Sequence, residues 1–321
     1  MQWWRGSFSA NFKNEVSLRY FLYCIFLFSG TLLAQEANIL FNRMNMSVYN
    51  PAFTGTNGTF ISFNSRSQWT GIVDAPRTNY LIYNLPQKER VSLGFSLQND
   101  RVFIENKTHI IIDYNYQLQI TKDKFLYLGL KGGGFYNAID TNRLQRLYLT
   151  SNPALAAVKS YFTPILGLGI QFKTPNYFIG VGVPSLFDNK RFQDNAVWET
   201  TATDVAYLYF SGGSTFQLNN IFTLSPVFIY RAVPNSPNLL FGTIAVDYNE
   251  QFSIGAGFAN NNNIAFFVSS KNFKGIEWGY GYEFMNRKDG TAIQAGTHEL
   301  FIRFNINISS ENEIEKLQEQ L

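Results

Sequence analysis

The chain has 321 residues, of which 45% are hydrophobic and 17% aromatic but only 15% charged, against about 25% charged in an average soluble domain. Its mean hydropathy of −0.11 excludes a bundle of membrane helices, so any membrane spans are predicted to be strands. The formal net charge of +3 is too small to indicate nucleic-acid binding.

The first 34 residues have the features of a secretory signal peptide. Basic residues precede an apolar run over residues 20–33, and the small residue Ala34 follows it as the predicted cleavage point. An N-terminal membrane anchor is the alternative, but the run is shorter than the ~20 residues that a helical span needs. The only cysteine, Cys24, lies in this run. The mature chain is therefore predicted to be exported and to contain no disulfide.

Beyond residue 56, apolar residues alternate with polar or small ones, which is the pattern of strands with one apolar and one polar face. In "HIIIDYNYQLQI" (109–120), Ile110, Ile112 and Tyr114 share one face, and Asp113 and Asn115 share the other. Tyr, Phe and Trp are frequent near the strand ends, as in the aromatic girdles of membrane barrels. The predicted strands number about fourteen: 58–68, 78–85, 90–98, 107–120, 124–136, 160–173, 176–183, 202–217, 220–231, 238–248, 250–259, 263–270, 275–284 and 297–308.

The connections between these strands alternate in length. Those after even-numbered strands are tight, such as 121–123 and 174–175, whereas those after odd-numbered strands are mostly longer, such as 69–77, 99–106 and 184–201. Outer-membrane barrels have short periplasmic turns and longer extracellular loops, and an open sheet edge would leave backbone groups unpaired in lipid. The sequence therefore predicts an all-β fold, a transmembrane antiparallel β-barrel over residues 57–308, in the outer membrane with both termini in the periplasm.

Two segments flank the predicted barrel. Residues 35–56 are predicted to be a polar periplasmic segment, with a plug folded inside the barrel as the other interpretation. Residues 309–321 begin with a capping-box pattern, Ser310 with Glu313. They predict a periplasmic tail, because a helix of this length is marginal alone; docking of this tail on a periplasmic partner is the other interpretation.

Three stretches near the start of the chain resemble a known family. "FNRMNMSVYNPAFTG" (41–55), "SRSQWTGIVDAPRT" (65–78) and "RVSLGFSLQND" (90–100) are similar to the opening elements of the PorP/SprF family of type IX secretion system outer-membrane proteins of Bacteroidetes. "GLKGGGFYN" (129–137) and "IGVGVPSLFD" (179–188) resemble later elements more weakly. The sequence departs from the family at Arg43-Met44, where a Pro is expected. The matching residues with a structural role are Asn50, Pro51, Phe53, Gly55 and Gly71.

The resemblance implies a non-catalytic role in the secretion and gliding machinery. Members are expected to support the export or surface anchoring of secreted proteins, such as adhesins, through the C-terminal sorting domains of those proteins. The implied partners are these secreted proteins, the apparatus proteins of the outer membrane and periplasm, and the lipid bilayer. A general porin or solute channel is the alternative function, and a purely structural anchoring barrel is a third hypothesis.

The loop after the first predicted strand is the candidate partner-binding site. Trp and Arg are typical of binding hot spots, and Asp and Pro supply turn geometry. The alternative is that the Trp belongs to an aromatic girdle and the other residues only shape the loop. The candidate residues are Arg66, Gln68, Trp69, Asp74, Pro76 and Arg77.

Charges of both signs are predicted on the lumen face. Mixed signs favour salt-bridged walls over an ion-selective ring, which would carry one sign. These charges either are paired in a wet lumen or form a docking surface for residues 35–56. They are Arg66, Asp113, Lys131, Asp247, Glu277, Glu283 and Arg303.

No catalytic site, metal or cofactor is predicted. The only two histidines, His109 and His298, are expected on opposite faces of different strands, and neither has the Ser two positions later that an outer-membrane phospholipase needs. "KGGGF" at Lys131 lacks the Lys-Ser/Thr and the helix of a phosphate-binding loop.

Overall fold

The computed structural model describes residues 39–140, 143, 160–187, 189–190, 203–204, 206–234, 237–272, 275–285 and 296–306. The predicted signal peptide (1–34) and C-terminal tail (309–321) lie outside these ranges. The described barrel strands are β1 (Phe60–Ser67), β2 (Arg77–Asn84), β3 (Val91–Val102), β4 (Glu105–Thr121), β5 (Lys124–Ile139), β6 (Tyr161–Lys173), β7 (Tyr177–Val183), β8 (Leu208–Ser214, continued by Phe216–Gln217), β9 (Phe222–Ala232), β10 (Leu239–Tyr248), β11 (Phe252–Ala259), β12 (Asn263–Lys271), β13 (Ile276–Met285) and β14 (Thr297–Asn305).

Every strand pairs antiparallel with its neighbour in sequence, and β14 pairs with β1 to close the sheet. The fourteen-strand barrel confirms the predicted fold class. A separate two-residue ladder joins Asn189–Lys190 to Thr203–Asp204 in the connection between β7 and β8. None of the described residues forms a helix long and apolar enough to span a membrane.

The two faces of the sheet follow the predicted alternation. In β4, Ile110 and Ile112 point outward and are 54% and 59% exposed, whereas Asp113 and Asn115 point inward and are 3% and 1% exposed. Phe301 breaks the pattern of β14 because it is apolar on the inward face, where it is fully buried. The outer face is therefore an apolar band suited to lipid, as expected for a transmembrane barrel.

Connections after even-numbered strands lie at one end of the barrel, which we call the turn end. Connections after odd-numbered strands lie at the other end, which we call the loop end. The prediction of a long loop over 99–106 is wrong: β3 runs to Val102 and β4 starts at Glu105. Phe103 adopts a left-handed φ of +55° in the tight turn between them. The error has a physical cause, since the strand ends carry polar residues on both faces and lack apolar alternation, yet their ladder continues.

Residues 39–59, here the lumen segment, fold inside the barrel ahead of β1. They form three short 3₁₀ turns, Asn42–Met44, Met46–Val48 and Pro51–Phe53. The principal hydrophobic core joins this segment to inward-facing wall residues, so the apolar core lies within the barrel. Its members from the segment are Ile39, Leu40, Phe41, Met46, Tyr49 and Phe53.

Candidate functional site

Glu299 on β14 holds the start of the lumen segment. Its carboxylate accepts hydrogen bonds from the backbone N–H groups of Leu40 at 2.9 Å and Phe41 at 3.1 Å. The side chain of Asn64 donates to the same carboxylate at 2.9 Å. With 1% of its surface exposed, Glu299 would be costly to bury as an anion without such donors. The carboxylate therefore ties the segment to the barrel wall.

Arg66 on β1 supplies the positive charge for this carboxylate. Its guanidinium contacts Glu299 at 3.1 Å and Glu283 on β13 at 2.7 Å. Asn263 on β12 donates to the other oxygen of Glu283 at 2.6 Å. Four neighbouring strands thus share one buried, hydrogen-bonded charge network facing the lumen segment.

The Asn-Pro-Ala-Phe stretch anchors the middle of the segment. Asn50 caps the turn at Pro51–Phe53, because its side-chain oxygen accepts from the N–H of Ala52 at 2.9 Å. The amide of Asn50 also donates to the carbonyls of Ile170 on β6 and Val181 on β7, both at 3.1 Å. One side chain therefore shapes the turn and joins it to two strands.

Glycines on the wall provide the space for this turn. A Cβ at Gly129 on β5 would lie 2.2 Å from the backbone nitrogen of Ala52, and one at Gly169 on β6 would lie 1.9 Å from the side-chain oxygen of Asn50. A Cβ at Gly182 on β7 would lie 2.7 Å from the Cβ of Asn50. Gly129 and Gly182, from the two stretches that resemble later family elements, thus meet residues 41–55 inside the barrel.

Polar side chains on β4 and β5 bind carbonyl groups of the segment. Asn115 on β4 donates to the carbonyls of Ala52 at 3.0 Å and Thr54 at 2.7 Å. Lys131 on β5 forms an ion pair with Asp113 at 2.8 Å and donates to the carbonyl of Ser47 at 3.2 Å. These bonds satisfy backbone groups that a non-helical, non-sheet segment would otherwise leave unpaired.

Two arginines secure the segment near the turn end. Arg43 forms a bidentate pair with Asp247 on β10, at 2.9 and 3.0 Å. Arg303 on β14 donates to the carbonyl of Met44, its guanidinium lies 3.9 Å from the centre of the Phe60 ring, and it faces Glu277 across the ladder. A bidentate pair fixes geometry as well as charge, so residues 43–44 are held on both sides.

The aromatic side chains of the segment complete its contacts. The Phe41 ring stacks on Phe301 with centroids 5.4 Å apart and meets the edge of Phe267 at 5.5 Å. The hydroxyl of Tyr49 accepts from the N–H of Ile39 at 3.1 Å, and its ring lies against Tyr209. Burial raises the pKa of Tyr49 to about 12, so this hydroxyl stays protonated at neutral pH.

The first outer loop, residues 68–76, has its own defined geometry. The N–H of Gln68 donates to the carbonyl of Pro76 at 2.9 Å, and Trp69 and Asp74 adopt left-handed φ values of +49° and +63°. Asp74 forms an ion pair with Arg143, and its carbonyl accepts from the N–H of Phe103 in the next hairpin. The loop is therefore braced against its neighbours rather than free.

The structure separates the predicted loop residues into two groups. Arg66 points into the lumen and is 3% exposed, so it does not share a surface with the loop. Gln68, Trp69, Asp74, Pro76 and Arg77 line one cavity at the loop end. Gly71 has a φ of +96° in the same loop, and Gly55 has one of +77° where the lumen segment meets Ser92.

Glu299 is not among the lumen charges predicted from the sequence. Its position on the polar face of the same strand as Arg303 was the available signal. Its contacts with residues 40 and 41 span about 259 positions of sequence and have no local signature. Among the described residues, no group of three or more His, Cys, Asp or Glu side chains could hold a metal ion.

A closed antiparallel barrel with an apolar outer face is a transmembrane β-barrel protein. Within that class, the chain belongs to the PorP/SprF family: the model of the type IX secretion system membrane protein PorP/SprF matches residues 34–304. The chain is therefore a membrane component of a type IX secretion system. The family match confirms the resemblance drawn from the sequence.

Several solved structures are similar to the chain. Omp33 of Acinetobacter baumannii shares 9% identity with a TM-score of 0.46, covering 77% of this chain and 98% of Omp33. The P. putida toluene transporter TodX shares 12% identity with a TM-score of 0.47, covering 82% and 94%. The monoaromatic hydrocarbon channel CymD shares 13% identity with a TM-score of 0.49, covering 84% and 93%. No match was found among curated proteins. Likenesses this distant carry no information about what the chain binds.

Proposed function

We propose that this chain is a non-catalytic component of the type IX secretion machinery in the outer membrane. In this role it supports the export or surface anchoring of secreted proteins, such as the adhesins used in gliding, through their C-terminal sorting domains. The proposal rests on the family match together with the occupied lumen: residues 39–59 of this chain pack against the inner wall of its own barrel.

The contacts of the lumen segment argue against a porin. A porin lumen is polar and filled with water, and its conduction depends on ions entering and leaving binding sites along the path. In this barrel, Glu299 and Lys131 are 4% exposed or less. Each binds a backbone group of the segment and an oppositely charged wall residue. Charges committed in this way are unsuited to guiding ions.

The loop end is the proposed surface for partners. Val73 at the tip of the first outer loop is 83% exposed, and Phe103 at the tip of the next hairpin is 43% exposed. The hydrogen bond from Phe103 to Asp74 holds the two tips together. Exposed apolar residues on a braced loop are typical of binding surfaces. With the turn end and both termini in the periplasm, this surface faces outward, where secreted proteins are anchored.

A deletion strain tests the proposal. Surface proteins and culture-medium proteins are compared by mass spectrometry between the parent strain and a strain that lacks this gene. We expect proteins with C-terminal sorting domains to leave the cell surface and to appear in the medium or be degraded. An unchanged distribution, together with reduced uptake of small solutes, would favour the porin function instead.

A point variant locates the contact. Trp69→Ala is expected to leave the barrel folded, as measured by heat-modifiable migration on gels, and to reduce retention of the surface protein. The matched change Trp278→Ala removes another tryptophan, one that faces lipid on β13 and is 51% exposed, and should leave retention unchanged. Normal surface display in the Trp69 variant would remove the binding role of this loop.

A further inference from the structure

On the outer face of β1 to β4, apolar residues give way to polar ones at the same level on all four strands. One row of laterally paired outward residues is entirely apolar: Phe63, Leu81, Leu97 and Ile110. The next row toward the loop end is entirely polar: Ser65, Asn79, Asn99 and Thr108. Successive rows lie about 7 Å apart along the strands. The boundary between these rows marks the edge of the hydrocarbon region of the bilayer.

The third row contains two arginines opposite each other. Arg77 on β2 pairs with Arg101 on β3, between Ser67 on β1 and Asn106 on β4. Both arginines are exposed, and like charges directly opposite each other on a sheet destabilise it. With strands tilted as in membrane barrels, this row lies roughly 10 Å above the last apolar row, at the level of the lipid headgroups.

Neighbouring carboxylates do not neutralise this pair. Asp100 on β3 belongs to the inward face, where it approaches His109 at 3.8 Å. Asp74 in the loop above is engaged by Arg143. Among the described residues, the outward face of this row therefore presents two guanidinium groups and amides to the headgroup layer.

A cavity of about 490 Å³ opens beside the two arginines, under the first outer loop. Its lining includes Gln68, Trp69, Asn79, Asn99, Arg77 and Arg101, and also the carboxylate of Asp74, which Arg143 pairs. The cavity thus combines two cations with several neutral donors, and its one carboxylate is already paired.

We propose that this cavity binds the phosphate group of an anionic lipid in the leaflet at the loop end. Guanidinium groups bind phosphate through paired, charge-assisted hydrogen bonds. A phosphate between Arg77 and Arg101 would replace their mutual repulsion with attraction. The lipid tails would lie on the apolar rows below, which begin at Leu81 and Leu97.

A membrane lipid fits the site better than a soluble phosphate. The arginines lie on the outer wall of the barrel directly above lipid-facing residues, rather than inside the lumen or at the tip of a loop. A headgroup is therefore held at this height by its own bilayer, at high local concentration. The proposal goes beyond the secretion role and depends only on the orientation of the barrel in a bilayer, so either can fail without the other.

The test uses the purified full chain in detergent and native mass spectrometry. The probes are diphosphoryl lipid A and the same lipid after removal of both phosphates. We expect the wild-type chain to retain the phosphorylated lipid and the double variant Arg77→Gln, Arg101→Gln to bind it roughly tenfold less tightly, since two charge-assisted contacts are lost. The control Arg90→Gln, Lys124→Gln removes two exposed positive charges at the turn end and should bind as the wild type does.

Thermal unfolding reports on folding: without lipid, the arginine variant should melt no lower than the wild type, because the repulsion is gone. Only the wild type should gain stability from the phosphorylated lipid.

Three results would overturn the proposal. The first is equal binding of the phosphorylated and dephosphorylated lipids by the wild type. The second is equal loss of binding in the arginine variant and in the turn-end control, which would indicate a general charge effect. The third is displacement of the lipid by millimolar inorganic phosphate, which would identify a site for soluble phosphate.

Discussion

Replacing Glu299 by Gln should release the lumen segment from the wall. The substitution keeps the shape of the side chain but removes its charge, and it places an NH₂ group against donors that the carboxylate now accepts, including the N–H of Leu40 and the guanidinium of Arg66. Breaking a buried ion pair costs about 3–5 kcal/mol. The lower end applies, because Arg66 keeps Glu283 at 2.7 Å. A loss of about 3 kcal/mol corresponds to a roughly 100-fold more frequent release of the segment.

A single cysteine in the segment reports on this release. The only native cysteine, Cys24, lies in the predicted signal peptide, so Met46→Cys places one thiol at a position that is 4% exposed. The rate of maleimide labelling follows the population of the released segment. We expect the Glu299→Gln chain to be labelled up to about 100-fold faster than its parent.

Glu283→Gln is the matched control. It also removes one carboxylate from Arg66. The described partners of Glu283, however, are the wall residues Arg66 and Asn263, and not the lumen segment. It should lower barrel stability with a smaller effect on labelling at position 46. Equal labelling rates in the two glutamine variants, or no increase in Glu299→Gln, would refute the anchoring role of Glu299.

Three further substitutions test the packing of the barrel. Gly129→Ala should destabilise the barrel by about 1–3 kcal/mol, because its Cβ would meet the backbone of Ala52, whereas Gly132→Ala on the same strand has open space and should be tolerated in denaturant titrations. Tyr114→Arg places a charge on the lipid face and should cost about 2–4 kcal/mol near the bilayer midplane, with Tyr114→Phe close to neutral in the same assay. Burial raises the pKa of Tyr49 to about 12, so the contribution of Tyr49 to the free energy of unfolding is constant below pH 10. Between pH 10 and 12 this contribution decreases, because only the unfolded state ionises. Tyr49→Phe should therefore show a shallower loss of stability over that range.

The strands could be predicted because the membrane imposes period-two patterning on them. The fourteen predicted strands correspond one to one with the described strands, and most ends agree within two residues. The predicted start of the eighth strand at 202 is wrong, because β8 begins at Leu208. The pattern fails where lipid no longer selects the residues. Asn99 and Asn106 are polar residues on the outward face, where the alternation would place apolar ones. The strands continue there beyond the apolar band, and the side chain of Asn99 donates to that of Asn106 at 2.6 Å.

The interior could be predicted only in outline. Alternation places Asp113 and Lys131 on the inner face, and the structure has them there. The pattern does not determine whether an inward side chain meets water or another part of the protein. Asn115 illustrates the difference. In a lumen filled with water, replacing it by Arg would cost little stability. In this structure Asn115 is 1% exposed and donates to the carbonyls of Ala52 and Thr54. Contacts between residues this far apart in sequence depend on the closed barrel.

The family motif also gains a physical explanation from the structure. Asn50 and Pro51 form a capped turn, and Gly129, Gly169 and Gly182 on three adjacent strands make room for it. Local propensity predicts the turn, since Asn is a preferred N-cap and Pro a preferred first residue. It does not predict the receiving surface, because glycines within strands have several possible roles.

The ion conductance of the full chain in a planar bilayer tests the occupied lumen most directly. The wild-type barrel is expected to stay near the baseline conductance of the bilayer, and Glu299→Gln is expected to add brief openings as the lumen segment leaves the wall. A steady wild-type conductance equal to that of an open porin with the same number of strands, and unchanged in Glu299→Gln, would contradict the account.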